Sequence, residues 1–411
     1  MPIKTLLSKE LLLLLVTTLM LGCSSSDQNN GLRFELQPID GPSTYGGEPN
    51  LFVSAQGTVY LSWVEFFNDS TDVLLYSTLE NEQWSEPIEI ARGTDWFVNW
   101  ADFPSLAVHE DWMASHWLQK SAGGTYDYDV RVSTSTNGGK NWSPSFIPHT
   151  DGVAAEHGFV TMLPLQNKRI FATWLDGRNT KGEPSDQHGH GNKAMTLRCA
   201  EFDPSGQLFT EAELDNRVCD CCQTDACSTD QGPVVVYRDR SEEEVRDISV
   251  VRRINGQWSA PKVIHQDGWE IAGCPVNGPA ISSHGNHLAV AWFTAPKGVA
   301  AVNVAFSSDA GASFSAPIRV DSGTPSGRVD IEMLNEKEAL VIWLEDEGDT
   351  AGIKAAIVNQ EGKLQDGVSL VETTNSRSSG FPILAKNKDQ LLLAWTAVEG
   401  DSTSVQTALL N

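Results

Sequence analysis

The stretch Leu288-Ala289-Val290-Ala291-Trp292 is a short run of strand character that ends in an aromatic residue. The same pattern occurs six more times, at residues 59–63, 113–117, 170–174, 234–237, 340–343 and 391–395. The final aromatics of successive copies lie 51 to 63 residues apart. Self-similarity at a nearly constant period is typical of repeat architectures, so the sequence predicts seven repeated β units.

Each unit has the same internal order of strands. A short strand precedes the aromatic strand, a third strand follows it, and four units close with a Trp or Phe, a Ser and a Pro, at 84–87, 142–144, 258–261 and 314–317. Four strands in about 50 residues is the arithmetic of a propeller blade. The last unit is one strand short after residues 405–410, and the alternating segment 32–39 can supply that strand. We therefore expect an all-β protein, a β-propeller of seven four-stranded blades over residues 32–411, closed by an N-terminal strand. Six blades are the alternative, if one unit is an insertion.

Charge narrows the range of partners. The 411 residues include 29 basic and 54 acidic side chains, a formal net charge of −25. Such a surface repels phosphate backbones, so no nucleic-acid partner is expected. A polyanionic substrate would need a local cluster of arginines to overcome the same field.

The N-terminus has the features of a targeting segment. Lys4 and Lys9 precede an apolar run at 11–21, and at about 1.5 Å per residue this run is too short to cross ~30 Å of hydrocarbon. The following segment, 20–23, resembles the lipobox of bacterial lipoproteins. That resemblance implies a signal peptide at 1–22, lipid attachment at Cys23 and a location in the bacterial cell envelope, at the outer membrane. Residues 23–31 are expected to form a flexible tether.

Two turns suggest a family. Residues 135–142 and 307–314 resemble the Asp-box of the sialidase/neuraminidase superfamily, also called the BNR repeat. The resemblance implies a propeller whose site lies at the mouth of the central channel, with the Asp-boxes as structural turns on the opposite face. Two catalytic features of true sialidases are missing. The triplet Gly47-Glu48-Pro49 stands where that family has an arginine, and no tyrosine follows Tyr237. A conventional sialidase is therefore disfavoured.

The order of strands predicts which residues face the channel mouth, since the loop before each first strand and the link from the second to the third strand share one face. Carboxylates there can act as acid and base on a glycosidic bond, and the candidates are Asp102, Glu156, Asp176 and Asp239. The candidates for binding an anionic group of a substrate are His157, Arg178, Arg238, Arg240, Arg246 and Arg328. The alternative is that these charged pairs only brace neighbouring blades.

The cysteines are the most unusual feature. Six follow Cys23: Cys199, Cys219, Cys221, Cys222, Cys227 and Cys274. In an oxidising compartment an even number first suggests three disulfides. We expect residues 219–222 to form the first strand of blade four, and Cys274 to begin the neighbouring first strand. The alternative is a thiolate site for Cu(I) or Zn(II) built from Cys219, Cys221, Cys222, Cys227 and Cys274 with His188 and His190. No other cofactor is expected.

The leading hypothesis is an envelope lipoprotein whose sialidase-like propeller binds or cleaves extracellular carbohydrate or a glycoconjugate, as a glycosidase-like hydrolase or a lyase. Two alternatives belong to other classes. One is a non-catalytic propeller scaffold that binds a glycan or a protein partner. The other is a metal or redox module built on the cysteines.

Overall fold

Seven antiparallel sheets make up the computed structural model, which describes residues 34–68, 70–181, 194–364 and 367–411. These residues belong to one compact unit, Arg33–Asn411. The expected signal peptide, tether and lipidation site Cys23 lie outside the described residues, and so do His188 and His190. Within the described part of the chain, no helix is long and apolar enough to cross a membrane.

The strands of the first three blades follow one another in chain order. After β1 (Leu36–Ile39), blade one contains β2 (Gly46–Val53), β3 (Val59–Asn68), β4 (Thr71–Glu80), β5 (Gln83–Trp84) and β6 (Ile88–Gly93). Blade two contains β7 (Ser105–His109), β8 (Trp112–Lys120) and β9 (Tyr128–Ser135). Blade three contains β10 (His157–Leu165), β11 (Arg169–Asp176), β12 (Met195–Phe202) and β13 (Leu208–Val218).

Four more blades complete the ring. Blade four contains β14 (Asp225–Thr229), β15 (Gly232–Arg238), β16 (Ile248–Ile254), β17 (Gln257–Trp258) and β18 (Lys262–Val263). Blade five contains β19 (Ala280–His284), β20 (His287–Thr294), β21 (Ala301–Ser307) and β22 (Ile318–Arg319). Blade six contains β23 (Pro325–Met333), β24 (Glu338–Asp346), β25 (Ala351–Asn359), β26 (Gly362–Lys363) and β27 (Val368–Thr373). Blade seven contains β28 (Ile383–Asn387), β29 (Gln390–Glu399) and β30 (Ser402–Leu410). Short 3-10 turns lie at Pro296–Gly298 and Arg377–Ser379.

The N-terminal strand closes the ring. β1 pairs antiparallel with β30, with Leu36 opposite Leu410, and becomes the outer strand of blade seven. Trp84 of blade one then donates its indole N–H to Thr407 at 2.9 Å, and Thr407 donates to the carbonyl of Ile39 at 3.2 Å. The seven-bladed prediction with N-terminal closure is confirmed, and the six-bladed alternative is wrong.

The outer strands are less regular than four strands per blade implies. In blades one, four and six, the fourth position is split into two short strands. In blades one and four the split falls at the closing phrase, where Pro87 and Pro261 lack the N–H that a ladder needs. Blade two has no regular fourth strand among the described residues. Phe146 forms only an isolated bridge to Val132 there.

The repeated aromatics form the core. Trp63, Trp174, Trp292 and Trp343, which end the predicted strands of four blades, are almost completely buried. A buried indole N–H needs an acceptor. In blades one, three and six the acceptor is an acidic side chain two residues further on: Trp63 donates to Glu65, Trp174 to Asp176 and Trp343 to Glu345, at 2.8–2.9 Å. The pairing of a buried tryptophan with an acidic residue two positions later is therefore part of the blade structure.

The turns at 135–142 and 307–314 connect the third strand to the segment after it. The side chain of Asn137 folds back, accepting hydrogen bonds from the Ser135 hydroxyl and the Asn141 N–H, each at 3.0 Å. Asp309 accepts the same two kinds of hydrogen bond in blade five, from Ser307 at 2.8 Å and from the Ser313 N–H at 2.9 Å. These contacts stabilise the turns from within, as expected for structural turns.

Candidate functional site

The first strands of the blades surround a central cavity of about 290 Å³. Four carboxylates line it: Asp102, Asp225, Asp330 and Glu332. Burial raises the pKa of Asp102, of Asp225 and of Glu332 to about 7 in each case. The channel therefore contains carboxyl groups that can keep a proton near neutral pH.

Two of the predicted carboxylates meet at the channel mouth. Asp102 lies in the loop before β7, and Glu156 lies in the loop before β10. The Tyr128 hydroxyl, at the start of β9, lies 3.2 Å from Oδ2 of Asp102 and 3.0 Å from Oε1 of Glu156. Burial, together with the charge of Asp102, raises the pKa of Glu156 well above its usual range. A phenol has one proton and cannot donate to both carboxylates at once, so this geometry suits a cluster in which one carboxyl is protonated.

The backbone fixes this cluster. The N–H of Tyr128 donates to the carbonyl of Ala155 at 3.1 Å, and Tyr128 forms a parallel bridge with Glu156. Oδ1 of Asp102 accepts the N–H of Phe159 at 2.6 Å. Gly158 makes the approach possible, since a Cβ there would lie 2.0 Å from Oδ2 of Asp102. Blades two and three are thus joined through the site.

Glu48 extends the acidic cluster from blade one. It is 8% exposed, has a positive φ of 60° at a break in the register of β2, and its Oε2 has no hydrogen-bond partner among the described residues. Burial and the charge of Asp102 raise the pKa of Glu48 well above its usual range. An acid therefore stands where the sialidase resemblance would place a carboxylate-binding arginine.

A histidine pair lies behind Glu156. The rings of His149 and His157 stack at 3.8 Å, and the Asp151 carboxylate contacts both, at 2.8 Å to Nδ1 of His149 and 3.2 Å to Nε2 of His157. Nδ1 of His157 lies 3.3 Å from the carbonyl of Tyr128, so the pair supports the Tyr128 segment. His149 and Asp129 also line a second cavity of about 400 Å³. Asp129, His149 and His157 have the spacing of metal ligands, as do Asp151, His157 and Asp176.

Asp176 and Arg178 belong to the blade structure. Asp176 accepts the Trp174 indole N–H and two hydrogen bonds from the Arg178 guanidinium, at 2.7 and 2.8 Å. Although burial opposes ionisation, these hydrogen bonds hold the pKa of Asp176 below its usual value. Glu65 and Glu345 accept the same indole hydrogen bond in other blades, so Asp176 has a structural reason to be acidic.

Most of the predicted arginines make internal contacts. All three guanidinium nitrogens of Arg238 donate to backbone carbonyls, those of Asn277, Arg246 and Phe293, at 2.6–2.9 Å. Arg240 uses its three nitrogens on Asp220 and Glu244. Arg238 and Arg240 are 1% exposed, so the structure does not leave them free to bind a substrate.

The remaining candidates have similar surroundings. Arg246 contacts Glu244 at 2.8 Å and Cys219 at 3.0 Å. Arg328 donates to the Ser379 hydroxyl and to the carbonyls of Ser376 and Gly380. Its guanidinium lies 4.7 Å from the ring centroid of Trp100. Burial lowers the pKa of Arg328 to about 10. Asp239 accepts from the Ser249 hydroxyl and the Arg240 N–H, and burial raises its pKa to about 6. For these residues the structural alternative, bracing of blades, describes the contacts.

The cysteines depart from the prediction in two ways. Residues 219–222 do not form the first strand of blade four, because that strand begins at Asp225, and Cys274 lies in the loop before β19, which begins at Ala280. The six cysteines Cys199, Cys219, Cys221, Cys222, Cys227 and Cys274 are free thiols, so the structure does not support three disulfides. Cys199 and Cys227 are buried in separate parts of the core.

Seven blades and closure by an N-terminal strand make the described part of the chain a seven-bladed β-propeller. The polysaccharide lyase Uly1 is similar in structure, with 11% identity, a TM-score of 0.54 and 94% of each chain covered. Similar as well are a variant of the NanB sialidase from Streptococcus pneumoniae, at 13% identity and a TM-score of 0.43 over 94% of this chain and 72% of that one, and the alpha-L-arabinanase from Penicillium chrysogenum, at 11% and 0.44 over 92% and 98%. No family model and no curated protein matches the sequence. At 11% identity, the similarity to the lyase shows a shared fold alone.

Tyr128, Glu48, His149 and Asp151 are the site residues that the sequence analysis did not select. Tyr128 has a signal in the sequence, because it begins a third strand directly after the link that faces the channel mouth. His149 and Asp151 lie in the same loop as Glu156, and their spacing alone carries no distinctive pattern.

Proposed function

We propose that this protein cleaves glycosidic bonds in extracellular carbohydrate, with Asp102, Tyr128 and Glu156 as its acid/base cluster. The observation that carries the proposal is the single Tyr128 hydroxyl within 3.2 Å of two carboxylates from different blades at the channel mouth. Glycoside hydrolysis requires two carboxyl groups, one of them protonated. The lipobox-like sequence at 20–23 supports attachment to a bacterial cell envelope through Cys23.

The geometry favours a close pair of carboxylates. Because both contact the same hydroxyl oxygen, at 3.2 and 3.0 Å, they are closer than the roughly 6.5–9.5 Å that inverting enzymes keep free for a water molecule. Retaining enzymes hold the two carboxyl groups about 5–5.5 Å apart. Glu156 is the more exposed of the two and is suited to protonate a leaving group, since its raised pKa keeps the proton near neutral pH. Asp102, which is held by the backbone N–H of Phe159, is then the second carboxylate of the pair.

Charge favours one class of carbohydrate substrate. The mouth contains Glu48, Asp102 and Glu156, whereas Arg238 and Arg240, which could have received an anionic sugar, are used within the protein. A polyanion would approach a chain of net charge −25, and the described residues at this mouth include no free arginine cluster that would attract it. Neutral or amino sugars therefore fit the site better than sialic acids or uronates.

The test is a screen of the purified protein against neutral, amino, uronate and sialylated glycans, read as new reducing ends. We expect cleavage of a neutral or amino-sugar glycan, and a loss of roughly 10²–10⁴-fold in kcat for Glu156→Gln and Asp102→Asn. The matched control is Asp215→Asn, which changes a carboxyl on the outer strand of blade three that also accepts a tyrosine hydroxyl, that of Tyr237 at 2.6 Å, and whose pKa is also raised by burial; it should stay within a few fold of the wild type.

Three results would contradict the proposal. Full activity of Glu156→Gln would remove the acid/base role. Products with an unsaturated, ultraviolet-absorbing sugar would indicate elimination, the reaction of a lyase. Binding of a glycan without any new reducing end would favour the non-catalytic scaffold.

A further inference from the structure

We propose that Cys219, Cys221 and Cys222, joined by Cys274, form a binding site for one thiophilic d¹⁰ metal ion, Cu(I) or Zn(II). The site lies in the loops that precede the first strands of blades four and five. It does not depend on the proposed carbohydrate chemistry.

The sulfur atoms have the spacing of ligands around one ion. Sγ of Cys219 lies 3.5 Å from Sγ of Cys222 and 4.0 Å from Sγ of Cys221, and all three lie within 4.8 Å of one another. Zinc–sulfur bonds of about 2.3 Å at tetrahedral angles place sulfur atoms roughly 3.8 Å apart. A disulfide would need about 2.05 Å. The observed distances therefore match a shared metal ion.

Cys274 supplies a ligand from the neighbouring blade. Its thiol interacts with that of Cys221 from outside the group of three sulfur atoms that lie within 4.8 Å of one another. Cys219 and Cys222 are buried, Cys221 is partly exposed and Cys274 is exposed, so the cluster opens toward solvent on the side of Cys274. Metal can enter there while the buried thiols hold the far side.

The surroundings orient the sulfur atoms and balance their charge. Nη1 of Arg246 donates to Sγ of Cys219 at 3.0 Å, and the N–H of Asn277 donates to Sγ of Cys222 at 3.4 Å. The Cys219 N–H itself donates to the Arg238 carbonyl at 3.1 Å. Hydrogen bonds of this kind fix the ligands and tune the ion in known metal sites. A group of thiolates around one ion carries negative charge, and the buried Arg246 offsets it.

The arginines near the loop 219–222 help to position it. Arg240 joins Asp220, within the cysteine loop, to Glu244 at 3.1 and 2.7 Å, and Glu244 in turn contacts Arg246. The loop 219–222 is thus held by a network of ion pairs around the buried guanidinium groups of Arg240 and Arg246. Such support is what a preorganised ligand loop requires.

Ligand number separates the two metals. Thiolate ligands select both Cu(I) and Zn(II). Structural Zn(II) sites use four tetrahedral ligands, so Zn(II) would need Cys274, whereas the three clustered thiols Cys219, Cys221 and Cys222 can hold Cu(I) without it. Cys199 and Cys227 lie apart in the core and serve as internal controls.

The experiment titrates the full chain, reduced and free of oxygen, with Zn(II) and separately with Cu(I), each against a chromophoric chelator. Bound metal is counted by mass spectrometry and unreacted thiols are counted with a thiol reagent. We expect one ion per chain and protection of three or four of the clustered thiols. Cys221→Ser should weaken binding of either ion by more than about 100-fold, because it removes a ligand from the group. Cys274→Ser should weaken Zn(II) far more than Cu(I).

Cys227→Ser is the matched control, since it removes a buried thiol outside the cluster and should leave affinity unchanged. Thermal unfolding of each variant checks that the fold persists. The proposal is overturned if neither ion binds at one per chain, if Cys227→Ser weakens binding as much as Cys221→Ser, or if the chain isolated without a reductant contains a Cys219–Cys222 disulfide in place of metal. None of these readouts involves carbohydrate, so failure here is distinct from failure of the proposed glycosidase.

Discussion

Two parts of the channel mouth, one formed by blades two and three and the other by blades four and five, contain similar charged residues. The two parts, called the two mouths below, differ in how far these residues are hydrogen-bonded within the protein. Around blades four and five, Arg238 and Arg240 commit all their guanidinium nitrogens to protein acceptors. Around blades two and three, some polar atoms can still form hydrogen bonds. Nε2 of His149 is buried beside a cavity and has no hydrogen-bond partner among the described residues. The carboxyl groups of Asp102 and Glu156 share one hydroxyl, that of Tyr128. Residue type therefore says less about function than whether the polar atoms are already satisfied.

The largest effect expected from this difference is on stability. Arg238→Met would leave three buried carbonyls without their donor, and removing one partner from a buried charged network typically costs about 3–5 kcal/mol. Arg178→Met should cost less, about 1.5–3 kcal/mol, because Arg178 is partly exposed and Asp176 keeps the hydrogen bond from Trp174. Urea unfolding of the two variants measures both losses. Equal losses would show that the two mouths are braced alike.

The ring of blades was predictable from the sequence because it depends on local, repeated signals. Each second strand contains one copy of this aromatic, which is buried in six of the seven blades, so the repeats of that aromatic count the blades. Asn137 and Asp309 act within their own turns, and their roles are equally local.

The site was less predictable because it depends on contacts between loops. Asp102, Tyr128 and Glu156 are brought together by a parallel bridge and a close approach at Gly158, which no spacing reveals. Asp176 looked like a catalytic acid because the sequence does not show that its partner is Trp174. The loop 219–222 was mistaken for a strand, since the first strand of blade four begins three residues later, at Asp225.

The pKa shifts of Asp102 and Asp176 have opposite directions. Asp102 accepts hydrogen bonds from Tyr128 and Phe159, whereas Asp176 is paired with Arg178. Burial raises the pKa of Asp102 from 3.8 to about 7, so the native state holds its proton more tightly than the unfolded chain does. The stability that this provides is complete below pH 3.8 and is lost as the pH rises to about 7. Asp176, whose pKa is lowered despite burial by its hydrogen bonds with Arg178 and Trp174, contributes in the opposite direction: its stability is present above pH 3.8 and is lost below it.

Urea unfolding between pH 4 and pH 8 tests these signs. Relative to the wild type, Asp102→Asn should remove a decline of up to about 1.4 kcal/mol per pH unit. Asp176→Asn should leave that decline in place over the same range. The same pH slope in the wild type and in Asp102→Asn would mean that burial does not raise the pKa of Asp102.

The smallest effects are expected on the opposite face, where the two regions should not differ. Asn137→Ala in blade two and Asp309→Ala in blade five each remove an exposed side chain that accepts hydrogen bonds within one turn. A hydrogen bond of this kind contributes about 0.5–1.5 kcal/mol, so both variants should lose about 1 kcal/mol by urea unfolding. Glycan cleavage and metal binding should be unchanged in both. If one variant loses several kcal/mol more than the other, then the contrast between the two mouths reflects a general difference in stability between their blades. The unsatisfied polar atoms near Glu156 would then no longer distinguish that side as the functional one.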